Sequence, residues 1–81
     1  MNDLIKNLNR VHTTELGIGR IKNNLGLKTD DAVAWCQTKI KNADRINRKG
    51  KNWYVSVDDM TITINAYSYT IITAHRKAKE S

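Results

Sequence analysis

The 81-residue chain has no proline, no phenylalanine, one cysteine and two histidines. Each scarcity excludes something. Cys36 alone closes no internal disulfide, and with only His12 and His75 beside it cannot complete a zinc site. So short a chain, without covalent or metal staple, must live on its apolar core or on a partner. The longest apolar run, Ala32 to Cys36, falls far short of the roughly 20 residues of a membrane span. The opening Met1-Asn2-Asp3-Leu4 lacks the basic-then-apolar order of a signal peptide. These features point to one cytoplasmic domain over residues 1–81 that does not engage a membrane and needs no metal or cofactor. With phenylalanine missing, the core falls to Ile, Leu, Val, two Trp and three Tyr.

What is present divides into two periodicities. Leu4, Ile5, Leu8 and Val11 recur at helical spacing and predict a first helix. Thr13 and Thr14 are N-cap residues for a second, with Glu15 in its first turn, Leu16, Ile18, Ile21 and Leu25 as its stripe, and Gly26 as a left-handed C-cap. Gly17 and Gly19 each weaken that helix by about 1 kcal/mol relative to alanine, a cost that close packing or a ligand would justify. Thr29-Asp30-Asp31 opens a third helix whose stripe is Val33, Cys36 and Ile40, widened by Ala32 and Trp35, and which ends at Asn42 or Ala43. From Asp44 onward the period becomes two: Asp44–Arg48, then Trp53–Val57, then a run around Ile62 and Ile64, then Tyr69–His75, with turns at Lys49–Lys51, Asp58–Asp59 and Tyr67–Ser68. The expected architecture is α+β. Two or three N-terminal helices, over about 3–42, pack on a three- to four-stranded antiparallel meander over about 44–76.

The last hairpin has two possible registers. A two-residue loop at Tyr67-Ser68 puts Ile71, Thr73 and His75 on the face of Ile62 and Ile64. A three-residue loop through Tyr69 puts Ile72 and Ala74 there instead, leaving Thr73 and His75 on the open face. The second register, which keeps His75 in solvent, is preferred; the sequence alone leaves both open.

Fourteen Lys and Arg against eight Asp and Glu give a net charge of +6. Six of the cations, Lys39, Lys41, Arg45, Arg48, Lys49 and Lys51, lie in one window followed at once by Trp53 and Tyr54. Cations beside aromatics suit a polyanion with stackable bases; the alternative is that these side chains only solvate a helix end and a hairpin, with Trp53 in the core. His12 and His75 are 63 residues apart, yet a helix lying over the sheet can bring them together. Two imidazoles, or one with a lysine or tyrosine, can cleave RNA without metal, one group taking the 2′-hydroxyl proton and another protonating the leaving 5′-oxygen, while Arg or Lys stabilises the phosphorane. The alternative is that both are ordinary surface or capping residues. Asp30-Asp31 and Asp58-Asp59 are explained by a helix start and a turn and form no two-metal site. Gly17-Ile18-Gly19 is too little for a phosphate loop, and Cys36 on an apolar helix face reads as core.

The strings His12-Thr13-Thr14-Glu15-Leu16-Gly17, Gly50-Lys51-Asn52-Trp53-Tyr54-Val55 and Asn65 through His75 resemble a family of small bacterial proteins known as a domain of unknown function, over nearly the whole chain. Helices followed by a sheet ending in Ile71-Ile72-Thr73-Ala74-His75-Arg76 also look like the barnase–colicin–RelE group of toxin ribonucleases, which cut RNA without metal. That second resemblance implies His12, Arg20 and Lys22 from the helical side and Tyr67, Thr73, His75 and Arg76 from the sheet. The expectation is a metal-independent endoribonuclease of toxin or mobile-element type. Its catalytic set is His12, His75, Lys22, Tyr67 and Arg76, and its RNA-contacting set is Arg20, Thr73 and the Lys39–Lys51 cations. The alternatives are a non-enzymatic nucleic-acid binder, a phage-type (anti-CRISPR) inhibitor docking on a nucleic-acid-bearing complex, and a homodimer paired through the edge strand Tyr69–Ala74.

Overall fold

A computed structural model describes residues 3–77. The chain is α+β, with the helices first and a four-stranded antiparallel sheet after them. The helices are α1 (Asp3–Lys6), α2 (Glu15–Leu25) and α3 (Ala32–Lys41), with a 3₁₀ turn over Leu8–Arg10 between the first two. The strands β1 (Arg45–Lys49), β2 (Asn52–Val57), β3 (Met60–Asn65) and β4 (Ile71–Arg76) follow one another across the sheet as a meander. None of these helices is long and apolar enough to cross a membrane.

The helix ends obey their local chemistry. Thr14 caps α2 by accepting from the Gly17 amide at 3.0 Å, and Gly26, at φ 66°, closes it in the left-handed region. Asp31, the last of the three polar residues before α3, is its actual cap and accepts from the Ala34 amide.

The first helix departs from expectation. Instead of one helix through Val11, the chain breaks at Asn7, whose side chain donates to the Asp3 carbonyl at 2.9 Å, a local bond that competes with continued helix. Beyond the 3₁₀ turn, Val11 runs extended so that His12 can form a parallel bridge to Thr70.

The core is a single cluster between the layers. From the helices come Leu4, Val11, Ile21, Leu25, Ala32, Cys36 and Ile40; from the sheet come Trp53, Val55, Val57, Met60, Ile62, Ile64, Tyr69, Ile71 and Ala74. Burial of each large aliphatic side chain stabilises the fold by about 1.5–3 kcal/mol. Two stripes differ from the expected ones by one position. In α2 the inward residues are Gly17, Ile21 and Leu25, spaced by four, so Leu16 points away and is 78% exposed. In α3 they are Ala32, Cys36 and Ile40, with Val33 half-buried. Gly17 is needed where it is because a Cβ there would run into the Thr13 hydroxyl, whereas Gly19 faces open space.

The last hairpin takes neither simple register. Ala74 pairs with Ile62, Thr73 with Thr63 and His75 with Thr61, as in the preferred alternative, but Ile71 rather than Ile72 pairs with Ile64. The reason is a bulge between Thr63 and Ile64 in which Ile72 is the extra residue. It lets Ile71 and Ala74, three apart, both face the core, and leaves Ile72 43% exposed. The loop before it is locked by Asn65, whose Oδ1 accepts from the amides of Tyr67 and Ser68 and from the Ser68 hydroxyl. Tyr69 is held at φ 62°, a strained setting for a bulky residue, and its ring packs against Trp53 with centroids 5.2 Å apart.

The two sheet edges are treated differently. At β4, the Ile71 amide donates to the His12 carbonyl, the Ile71 carbonyl accepts from Thr13 Oγ1, and the Ala74 carbonyl accepts from Asn24 Nδ2. Part of the Tyr69–Ala74 edge, at Ile71 and Ala74, is therefore engaged from within the chain. β1 is the other edge, with no further strand beside it among the described residues, and it carries Arg45, Arg48 and Lys49.

Candidate nucleic-acid interface

Helices cover one face of the sheet only. Period-two alternation sends Trp53, Val55 and Val57 toward them and Asn52, Tyr54 and Ser56 to the opposite, uncovered face. The register then fixes three rows across that face. They are Lys49, Asn52 and Asn65; Asn47, Tyr54, Thr63 and Thr73; and Arg45, Ser56, Thr61 and His75. No carboxylate occurs in any row. Asn47, Lys49, Gly50 and Tyr54 line an open concavity of about 550 Å³. A second hollow, at the opposite corner, is lined by Asp44, Arg45, Ser56 and Lys77.

The aromatic that faces outward here is Tyr54; Trp53 is core, 4% exposed. A half-exposed phenol ring in a shallow hollow beside an ammonium group can take a base on its π-face while the cation meets the phosphate. The flanking amides and hydroxyls of Asn47, Thr61 and Ser56 can donate and accept toward base edges and 2′-hydroxyls.

The other expected site residues are dispersed. His12 and His75 do not meet: Thr70, the bridge partner of His12, lies five residues before His75 along the last strand, roughly 15 Å at the ordinary rise. Arg20 and Lys22 are on α2, in the layer on the other side of the sheet from Thr73. Arg76 donates to Asp59 at 2.9 Å and to the Leu25 carbonyl at 3.2 Å, so it ties the last strand to the end of α2. Lys39 is paired with Asp58 at 2.7 Å and lies 5.4 Å from the Trp35 ring. Lys41 is exposed at the end of α3. The expected cation patch is thus split. Lys39 is committed internally, Arg45 and Lys49 serve the open face, and Arg48 turns to the helix side with Trp53, its register partner.

His12 has its own setting. Its Nδ1 lies 2.8 Å from the Arg10 carbonyl, an oxygen that only accepts, so that nitrogen carries the proton. Nε2 lies 3.3 Å from Thr70 Oγ1, which is 2.8 Å from Ser68 Oγ. This relay orients the ring at the sheet's rim and contains no second acid or base.

Cys36 is fully buried, and burial pushes its thiol up from 9.0 to about 11. It is core, not a nucleophile. Among the described residues no group of His, Cys, Asp and Glu could hold a metal ion.

Charge is distributed unevenly between the sheet's two ends. The two ion pairs among the described residues, Lys39–Asp58 and Arg76–Asp59, lie at the β2–β3 turn. The end bearing the β1–β2 tip and the β3–β4 loop carries Arg10, Arg48, Lys49 and Lys51 without an ion-pair partner among the described residues. Of the residues that matter here, Tyr54 was read from the sequence as an aromatic beside the cations but not as a contact residue, and Asn47 was not singled out. The signal was present, since strict alternation with a core Trp53 sends Tyr54 outward.

No curated protein and no solved structure matches the chain. One family model does, over residues 5–75, and it spans all three stretches whose wording resembled a domain of unknown function. With that match covering most of its length, the chain belongs to the family described as "Protein of unknown function (DUF3781)".

Proposed function

We propose that the protein is a cytoplasmic, non-catalytic RNA-binding protein that holds its ligand on the uncovered face of the sheet. One observation carries the reading: that face presents Tyr54 beside Lys49, with Arg45 and His75 in the next row, and no carboxylate in any of its three rows. A flat, hydroxyl- and amide-rich surface with a ring at its centre and cations at its margin matches the needs of single-stranded RNA. Catalysis is the weaker reading, because the acid and base it requires are not brought together. Each histidine stands without the other, and Lys22 and Arg76 are held in different places.

The test is fluorescence anisotropy with a labelled single-stranded RNA in EDTA, followed by a gel of the recovered RNA. Binding by the wild type, intact RNA, a loss of about tenfold in Tyr54→Ala and unchanged binding in His12→Ala support the reading; the tenfold figure is about 1.4 kcal/mol, within the range for one stacked base. Cleaved RNA that survives intact only with His12→Ala or His75→Ala would restore the enzyme. No binding at low salt would remove both readings.

A further inference from the structure

At the loop end of the sheet three aromatic rings and two guanidiniums form one contact series. Arg10 lies 4.3 Å from the Tyr69 ring centroid, Tyr69 packs on Trp53, and Arg48 lies 5.7 Å from Trp53 and 5.6 Å from Tyr67. Trp53 and Tyr69 are buried and belong to the core, but Tyr67 is 71% exposed. An exposed ring on a loose loop would be unremarkable; this loop is fixed by the three bonds to Asn65 Oδ1. Both guanidiniums are positioned by aromatic faces instead of carboxylates. Arg48 is further aimed by the bond from its Nε to the Gly50 carbonyl at 2.9 Å. Held near aromatic rings and without an ion-pair partner among the described residues, each can offer its remaining N–H groups to an anion.

The series is continuous with the open face. The Ala66 amide donates to the Lys51 carbonyl at 2.8 Å, which holds the β3–β4 loop against the β1–β2 tip. Along β1, Lys49 points to the open face and Arg48 to the helix side. A strand leaving Tyr54 past Lys49 therefore rounds the tip at Gly50-Lys51 and meets Arg48 and Tyr67 next.

We infer that Tyr67, Arg48 and Arg10 form a second subsite, which takes an unpaired base on the Tyr67 ring and backbone phosphates on the two guanidiniums, so that the ligand is a single strand wrapped over the tip of the sheet. This rests on the RNA-binding reading and adds its path and length requirement. A duplex cannot follow the path, because a stacked, paired base has no free face for Tyr67. Pre-organisation by the Asn65 lock and by the packing of the rings and guanidiniums means that little ordering is left to be done on binding.

The experiment is an amide-resolved NMR titration of the full chain with a trinucleotide and a dodecanucleotide of uridylate, joined by anisotropy with the dodecamer. Both oligomers shift the amides around Lys49 and Tyr54. Only the dodecamer shifts Tyr67 to Thr70. Tyr67→Ala, at an exposed site where the fold is retained, weakens the dodecamer about fivefold or more, leaves the trimer unchanged, and is rescued by Tyr67→Phe. Duplex RNA of the same length leaves the Tyr67 to Thr70 amides in place. If both oligomers bind and Tyr67→Ala changes neither, the second subsite is wrong and the sheet-face reading stands. If neither oligomer binds, the sheet-face reading falls and the subsite with it.

Discussion

Two glycines two residues apart in α2, and so on opposite sides of the helix, should respond to alanine in opposite directions. Gly19 faces open space, so a methyl there gains only helix propensity. Gly19→Ala should stabilise by about 0.5–1 kcal/mol. At Gly17 the same propensity gain is overwhelmed. Its Cβ would collide with the Thr13 hydroxyl, which donates to the Ile71 carbonyl at 3.0 Å and fastens the start of α2 to the edge of β4. Displacing it forfeits a bond with a net contribution of about 0.5–1.5 kcal/mol and adds an overpacking strain of about 1–3 kcal/mol. Gly17→Ala should therefore destabilise by about 1–3 kcal/mol. In a domain of this size each kcal/mol moves Tm by about 4–8 °C, so thermal denaturation by circular dichroism separates the two variants widely. Thr13→Ala removes the obstructing hydroxyl, and Gly17→Ala added to it should cost markedly less than it does alone. A Gly17→Ala protein as stable as Gly19→Ala, or strict additivity in the double variant, would refute the argument for that close approach.

The bulge in the last hairpin predicts that Ile71→Ala costs about 2–5 kcal/mol in urea unfolding while Ile72→Ala costs under about 1; equal effects would mean that Ile72 is not the outward residue. Cys36 predicts an alkaline weakening. Its pKa is raised in the folded state, so the unfolded chain ionises first. The stability this thiol contributes is intact below about pH 9 and is lost as pH rises toward about 11, by about 3 kcal/mol in all. Urea midpoints at pH 8 and pH 10.5 should therefore fall further in the wild type than in Cys36→Ala, and parallel curves would contradict it.

The order of elements and the placement of both α2 caps were legible because they depend on neighbours in sequence: Thr14 reaches Gly17, and Gly26 is the residue that tolerates φ 66°. What could not be read depended on groups far along the chain. Asn7 marks where the first helix stops, but nothing local says that His12 then bridges Thr70, or that Leu16 yields its inward place to Gly17 because Thr13 needs that space. The bulge arises because Ile71 and Ala74 must both reach the core, a demand set by the opposite layer and not by the loop residues that register rules consider. The candidate site shows the same division. The charge excess and the aromatic beside it are sequence facts, yet which cations remain available was decided by Asp58 and Asp59, which take Lys39 and Arg76 at the other end of the sheet.

The central claim is that the open sheet face and the tip beside it grip a phosphate backbone, and the salt dependence of RNA affinity tests it most directly. With a dodecamer of uridylate, log K should fall linearly with log salt, by about 0.7 for each phosphate neutralised. Lys49→Gln should lower that slope by about one such unit, while Lys39→Gln, at a site already paired with Asp58, leaves it unchanged. A slope near zero, or one that drops equally in both variants, would contradict the account.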